Sequence, residues 1–70
     1  MNREYIDSTM IKSIGFDAST STLEVEFNNG AVWQYFDFAE SNWFEFRNAE
    51  SKGQYFNREI RGHYSESRIG

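Results

Sequence analysis

Seventy residues with a net charge of −4 leave room for one small domain and argue against a long phosphate-neutralising footprint. No cysteine is present, which excludes disulfides and thiolate chemistry and points to a reducing compartment, the cytoplasm. A core must come instead from two Trp, four Tyr and seven Phe, 19% of the chain, each ring hiding on the order of 150–250 Å².

In chain order, residues 11–16 are the first strand candidate. The polar cluster Asp17-Ala18-Ser19-Thr20-Ser21-Thr22 makes a turn, and Leu23-Glu24-Val25-Glu26-Phe27 alternates apolar and acidic residues as a half-buried strand does. Asn28-Asn29-Gly30 tolerates positive φ and leads into a third strand over residues 31–36, giving an antiparallel meander. Turn length decides which side of that strand is inside. A two-residue turn at Asn29-Gly30 pairs Phe27 with Val32, burying Gln34 and exposing Trp33 and Tyr35. A three-residue turn with Gly30 in the left-handed region pairs Phe27 with Ala31, Val25 with Trp33 and Leu23 with Tyr35, and swaps the faces. Burying an unpaired amide costs about 1–3 kcal/mol, and hiding a large aromatic gains a similar amount. The second register is therefore favoured, with Trp33 and Tyr35 in the core and Gln34 outside near Glu24; Val32 and Phe36 then lie on the outer face.

Asp37 and Glu40 have capping-box spacing, which predicts a helix from about Phe38. Ala39, Trp43, Phe46 and Glu50 share one of its faces, with Trp43 and Phe46 as the anchors on the sheet. Phe44 lies far round the helix and is a candidate partner contact. Ser51-Lys52-Gly53 breaks this helix, Gly53 being available for a left-handed or tight conformation, and a second short helix is predicted over residues 55–61 with Phe56 and Ile60 buried. Gly62 ends it, and the residues at both ends of the chain are expected to fray around an ordered core of 8–64. The architecture expected is α+β: a three-stranded antiparallel meander covered on one face by two C-terminal helices. The opening residues are not those of a secretory leader and no apolar run approaches the roughly 20 residues of a membrane span, so a soluble domain without a membrane partner is expected.

The pattern L-x-V-x-F-x-x-G from Leu23 to Gly30, the aromatic-x-Tyr of Trp33 and Tyr35, and S-K-G-x-Y-F-N-x-x-I-R from Ser51 to Arg61 resemble the KTSC domain. The resemblance spans about residues 8–64, and SKGQYFNREIRGHY at 51–64 is its most specific part. Two departures are visible: Trp33 stands where the family usually has Tyr, and Ala39 where it often has a proline at the first helical position. The resemblance implies a module of the kind found at the C-terminus of some lysyl-tRNA synthetases and in small free-standing bacterial and phage proteins. It also implies RNA as a partner.

Catalysis is not expected. The single histidine, His63, sits in a polar stretch with no nucleophile pattern beside it. Glu24 and Glu26 share a strand face, where solvated acids are the ordinary occupants, and Asp37 and Glu40 are explained by capping rather than by metal binding. No cofactor or metal is implied.

Charge is unevenly spread. Residues 1–50 carry three cations against nine carboxylates, and residues 51–70 carry four against two, so an anionic partner would dock at the latter end. Lys52, Arg58 and Arg61, with Tyr55, Tyr64 and Asn57, are the candidate RNA-contacting residues around the second helix. The same Tyr/Arg-rich surface, with Phe44, would equally suit a protein partner, and an open sheet edge would suit a partner strand or a second copy. The charge balance favours protein; the family resemblance tips the reading to RNA. Alternatively, these residues serve the fold, with Tyr55 and Phe56 packed on the sheet and Asn57 and Arg61 tying the second helix to it.

Overall fold

The structure is a computed structural model that describes all 70 residues. Five antiparallel strands lie side by side in chain order: β1 (Arg3–Tyr5), β2 (Ile11–Asp17), β3 (Thr22–Phe27), β4 (Val32–Tyr35) and β5 (Glu66–Arg68). Between β4 and β5 the chain forms α1 (Glu40–Asn48) and α2 (Lys52–Tyr55), the latter running on into a π-helical turn, Phe56–Ile60. The α+β class and the helical cover on one face hold. The expected three-stranded sheet does not: the ends expected to fray form β1 and β5, one at each edge. No helix is long and apolar enough to cross a membrane.

The β3–β4 register is the one set by a three-residue turn. Leu23 pairs with Tyr35 and Val25 with Trp33, while the Phe27 N–H donates to the Ala31 carbonyl at 2.9 Å. Gly30 has φ +92, a conformation that costs glycine nothing and an L-residue a good deal. Tyr35 is 2% exposed and Trp33 half-buried, so the ring expected wholly in the core lies at its margin. Gln34 faces outward, its Nε2 donating to Glu24 Oε1 at 3.0 Å.

Ile11, Ile14, Leu23 and Val25 line the helix-facing side of the sheet, and each is fully buried. Trp43 and Phe46 of α1 cover them, as the helical spacing predicts. Trp43 stacks on Phe16 at 5.6 Å between ring centroids, and Phe46 on Tyr55 at 5.3 Å. Phe56 meets Phe27 and Tyr35 edge-on at 5.3 and 5.5 Å. Fully burying a side chain such as Phe46 contributes about 1.5–3 kcal/mol, and six of the 11 residues of the core cluster are aromatic. Phe44 is 50% exposed, as its helical position predicts.

The helix starts differ from the expected ones. Asp37 has φ +56 and sits in the turn after β4, so it cannot act as the N-cap of α1. Ala39 takes that position and makes no side-chain cap hydrogen bond, which moves the start to Glu40 and places Ala39 before the first helical residue. Asp tolerates the left-handed region better than most residues, and the turn demand overrides capping. The second helix begins at Lys52, earlier than expected, because the Ser51 side chain accepts from the Gln54 N–H. Gly53 is accordingly helical rather than left-handed; Gly62, with φ +78, ends the element.

On the sheet's outer face, Glu24 and Glu26 are not the solvated pair expected. β1 pairs with β2 so that Arg3 stands opposite Gly15, and Arg3 Nη1 reaches Glu24 Oε2 at 3.2 Å. Ser13 Oγ donates to Glu26 Oε1 at 2.9 Å.

Candidate functional site

The two sequence segments of most interest converge. β4 contributes Trp33 and Tyr35, the π-helical turn contributes Phe56, and Arg61 emerges directly after it, its N–H bonded to the Phe56 carbonyl at 2.9 Å. β5 closes the other side with Glu66. Together with Met10, Phe27 and Ala31 these residues line an open cleft of about 710 Å³. Wide helical turns of this kind recur at functional sites because the extra residue re-aims the chain beyond it.

Antiparallel pairing fixes the polar rim. Tyr35 stands opposite Glu66, and Trp33 opposite Arg68, so all four side chains share the helix-facing side of the sheet. Arg61 is exposed and forms no ion pair; the four ion pairs of the protein are Arg3 with Glu24 and with Glu26, Arg47 with Glu4, and Arg58 with Glu59. Arg68 is also free of carboxylates, its Nε donating to the Gly70 carbonyl at 2.8 Å. Burial first, then the Glu66 charge, pushes the Tyr35 phenol up to about 12, with Arg61 pulling the other way. The Tyr35 hydroxyl makes no hydrogen bond within the protein; its oxygen is open to solvent although the rest of the residue is almost wholly buried.

The other candidate residues lie elsewhere. Lys52 Nζ donates to the Ala49 carbonyl at 2.6 Å and closes the C-terminal end of α1. Tyr55 is buried beneath Phe46, and its hydroxyl donates to Glu45 Oε1 at 2.8 Å; burial first, then this bond and the Glu45 charge, raise its ionisation well above the usual phenol value. Arg58 pairs with Glu59 at 2.9 Å and lies 5.7 Å from the Tyr55 ring centroid. The Tyr64 ring packs on Phe38 at 5.0 Å while its hydroxyl accepts from Asn42 Nδ2 at 2.9 Å. Asn57 is exposed and shares a separate polar groove with Lys52, Ser8 and Gln54. Of the six, only Arg61 lines the aromatic cleft.

Trp33, Tyr35, Glu66 and Arg68 are not among the sequence candidates. Strand register assigns the first two to the core, and the last two fall in a strand with no apolar alternation. Their signal is the charged edge-strand pattern Glu-Ser-Arg, which places two charges on one face. No three His, Asp or Glu side chains converge as a metal site.

The geometry defines a class: a small antiparallel α+β domain with a helical cover and one aromatic cleft that has an unpaired guanidinium at its mouth. The chain belongs to the KTSC domain family, whose model matches residues 7–64. A lysine–tRNA ligase of Nostoc punctiforme is 38% identical over 58 residues, covering 83% of this chain and 10% of the ligase. The ligase of Trichormus variabilis is 35% identical over 63 residues, 90% of this chain and 11% of its own length, so the chain spans about a tenth of these relatives. An uncharacterized protein of Stutzerimonas stutzeri is 33% identical over 70 residues, covering 99% of both chains. The crystal structure of a KTSC domain protein from Yersinia pestis superposes with a TM-score of 0.93 at 34% identity, covering 99% of this chain and 97% of that one.

Proposed function

We propose that this domain is a non-catalytic RNA-binding module of the cytoplasm that seats a single-stranded nucleotide in the cleft between β4, β5 and the π-helical turn. The observation that carries the reading is Arg61: an exposed residue without a carboxylate partner that lines the same cleft as the half-buried Trp33. Recognition of single-stranded RNA combines a ring on which a base stacks with a cation for the phosphate. Kinship with segments of lysine–tRNA ligases supports RNA over other anions.

The cleft's apolar floor and the net charge of −4 predict a short footprint of few phosphates, with shallow salt dependence. Titrating the purified protein with a pool of short single-stranded RNAs at about 50 and 200 mM salt tests this. Weakening with salt is expected, and absence of binding at the lower concentration would overturn it. A second reading, a protein partner, is favoured by one observation: β1 and β5 are open edges of three residues each, able to accept another strand. Sedimentation of the protein compared with Tyr5→Pro, which removes an N–H facing the open edge of β1, tests that reading: self-association lost in the variant supports it, and a monomer in both overturns pairing at that edge.

A further inference from the structure

We propose that the cleft selects guanine. The inference rests on the RNA reading above and specifies the base that fills the site.

Several polar groups around the cleft are already spent. Asn28 Nδ2 donates to the Ser8 carbonyl at 2.9 Å, tying the turn to the segment before β2, and Asn29 Oδ1 accepts from the Ala31 N–H at 2.9 Å within the β3–β4 turn. What remains toward β5 is the Glu66 carboxylate, which only accepts, the unpartnered Tyr35 hydroxyl, and Arg61. Tyr35 and Glu66 are directly opposed across β4 and β5, so their side chains leave the sheet from paired positions on the same face and both line the cleft. The Tyr35 hydroxyl makes no hydrogen bond within the protein and is open to solvent in the cleft, so it is free to donate to a bound ligand.

A carboxylate offers two adjacent acceptor oxygens. Of the four RNA bases, only guanine presents two adjacent donors, N1–H and N2–H, on its Watson–Crick edge, with the O6 acceptor next to them. Guanine therefore matches the row in order: Glu66 takes N1–H and N2–H, and the Tyr35 hydroxyl donates to O6. The ring stacks on Trp33, and Arg61 meets the phosphate. Adenine and cytosine offer a single amino donor and uracil a single imide donor, so each leaves one Glu66 oxygen or the Tyr35 hydroxyl unpaired.

The test compares octamers of uridine carrying one central guanosine, inosine or adenosine, by fluorescence anisotropy at low salt, together with free guanosine monophosphate. Guanosine is expected to bind at least about fivefold more tightly than adenosine, with inosine, which lacks the N2 amino group, falling between them. Glu66→Gln should lower affinity for the guanosine octamer to that for the adenosine octamer, and Tyr35→Phe should narrow the difference between them. Because Glu66 is exposed, its variant is expected to melt like the parent. Equal binding of all three octamers would overturn the guanine assignment and leave the RNA reading standing, whereas no binding to any octamer would overturn both. Free guanosine monophosphate binding as tightly as the guanosine octamer would make the site one for a free nucleotide and overturn the RNA assignment.

Discussion

Arg3 lies across Gly15 on the outer face of the sheet, and a Cβ on Gly15 would stand 2.9 Å from Arg3 Cγ and 2.8 Å from the Asn2 carbonyl oxygen. The second of these contacts is with backbone, which cannot swing away. The glycine is the hollow over which β1 docks and through which Arg3 reaches Glu24.

Gly15→Ala is therefore expected to cost about 1–3 kcal/mol, the range for a forced overpacking, despite alanine's better strand entropy. Chemical denaturation checks the loss. A parallel rise in exchange at the Ile6 amide, which donates to the Lys12 carbonyl across the β1–β2 pair, would locate it; unchanged stability would show that the edge strand is dispensable.

Arg61 and Lys52 should separate cleanly. Arg61→Ala removes an exposed, unpaired cation, so RNA affinity should fall uniformly across sequences and the salt slope by about one, with the melting temperature unchanged. Lys52→Ala removes the cation that closes α1 and should instead lower the melting temperature by a few degrees, with little effect on RNA. The reverse pattern in paired titrations and melts would relocate the interface to the polar groove around Lys52.

Stability should decline in mild alkali. The Tyr35 phenol is raised to about 12 in the fold, against about 10 in the unfolded chain. Below pH 10 both states keep the proton; between 10 and 12 the unfolded chain has lost it and the fold has not, so unfolding is increasingly favoured. Melting temperatures from pH 9 to 11.5 should fall less steeply in Tyr35→Phe than in the parent, and coincident curves would mean that the phenol is not held in its neutral form.

The uncapped start of α1 can be improved. Ala39 is exposed and already has extended dihedrals, φ −68 and ψ 143, so Ala39→Asp should gain about 1 kcal/mol by accepting from a first-turn N–H. For a domain of this size that is a rise of roughly 4–8 °C in a thermal melt. A fall would show that the turn at Asp37 does not tolerate a second carboxylate so close.

The sequence held the central hairpin in plain view because two independent signals agree on it. The Leu23-Val25-Phe27 alternation sets one face, and Gly30 sets the turn that aligns Trp33 and Tyr35 with it. The edge strands carry no comparable signal. Arg3-Glu4-Tyr5 and Glu66-Ser67-Arg68 have no apolar side to hide, since edge strands are kept charged, and only tertiary pairing reveals them. The candidate site is half legible for the same reason. Arg61 stands out as a cation near aromatics, but its neighbours Glu66 and Arg68 arrive on an invisible strand. Strand alternation sorts Trp33 by a rule with only two sides, while the ring occupies the margin between them.

The hairpins β1–β2, β2–β3 and β3–β4 each join strands adjacent in sequence, whereas β4 meets β5 only after both helices have intervened. Closing that long loop is the entropically costly step, so β5 is expected to dock last during folding and to open first in the native state. The cleft's wall is then expected to open as a hinged shutter before the rest of the sheet does. Occupancy of the cleft and protection of the Phe36 and Ile69 amides, which bind the chain on either side of β5, should rise together, making slow exchange at these two positions a gauge of ligand binding.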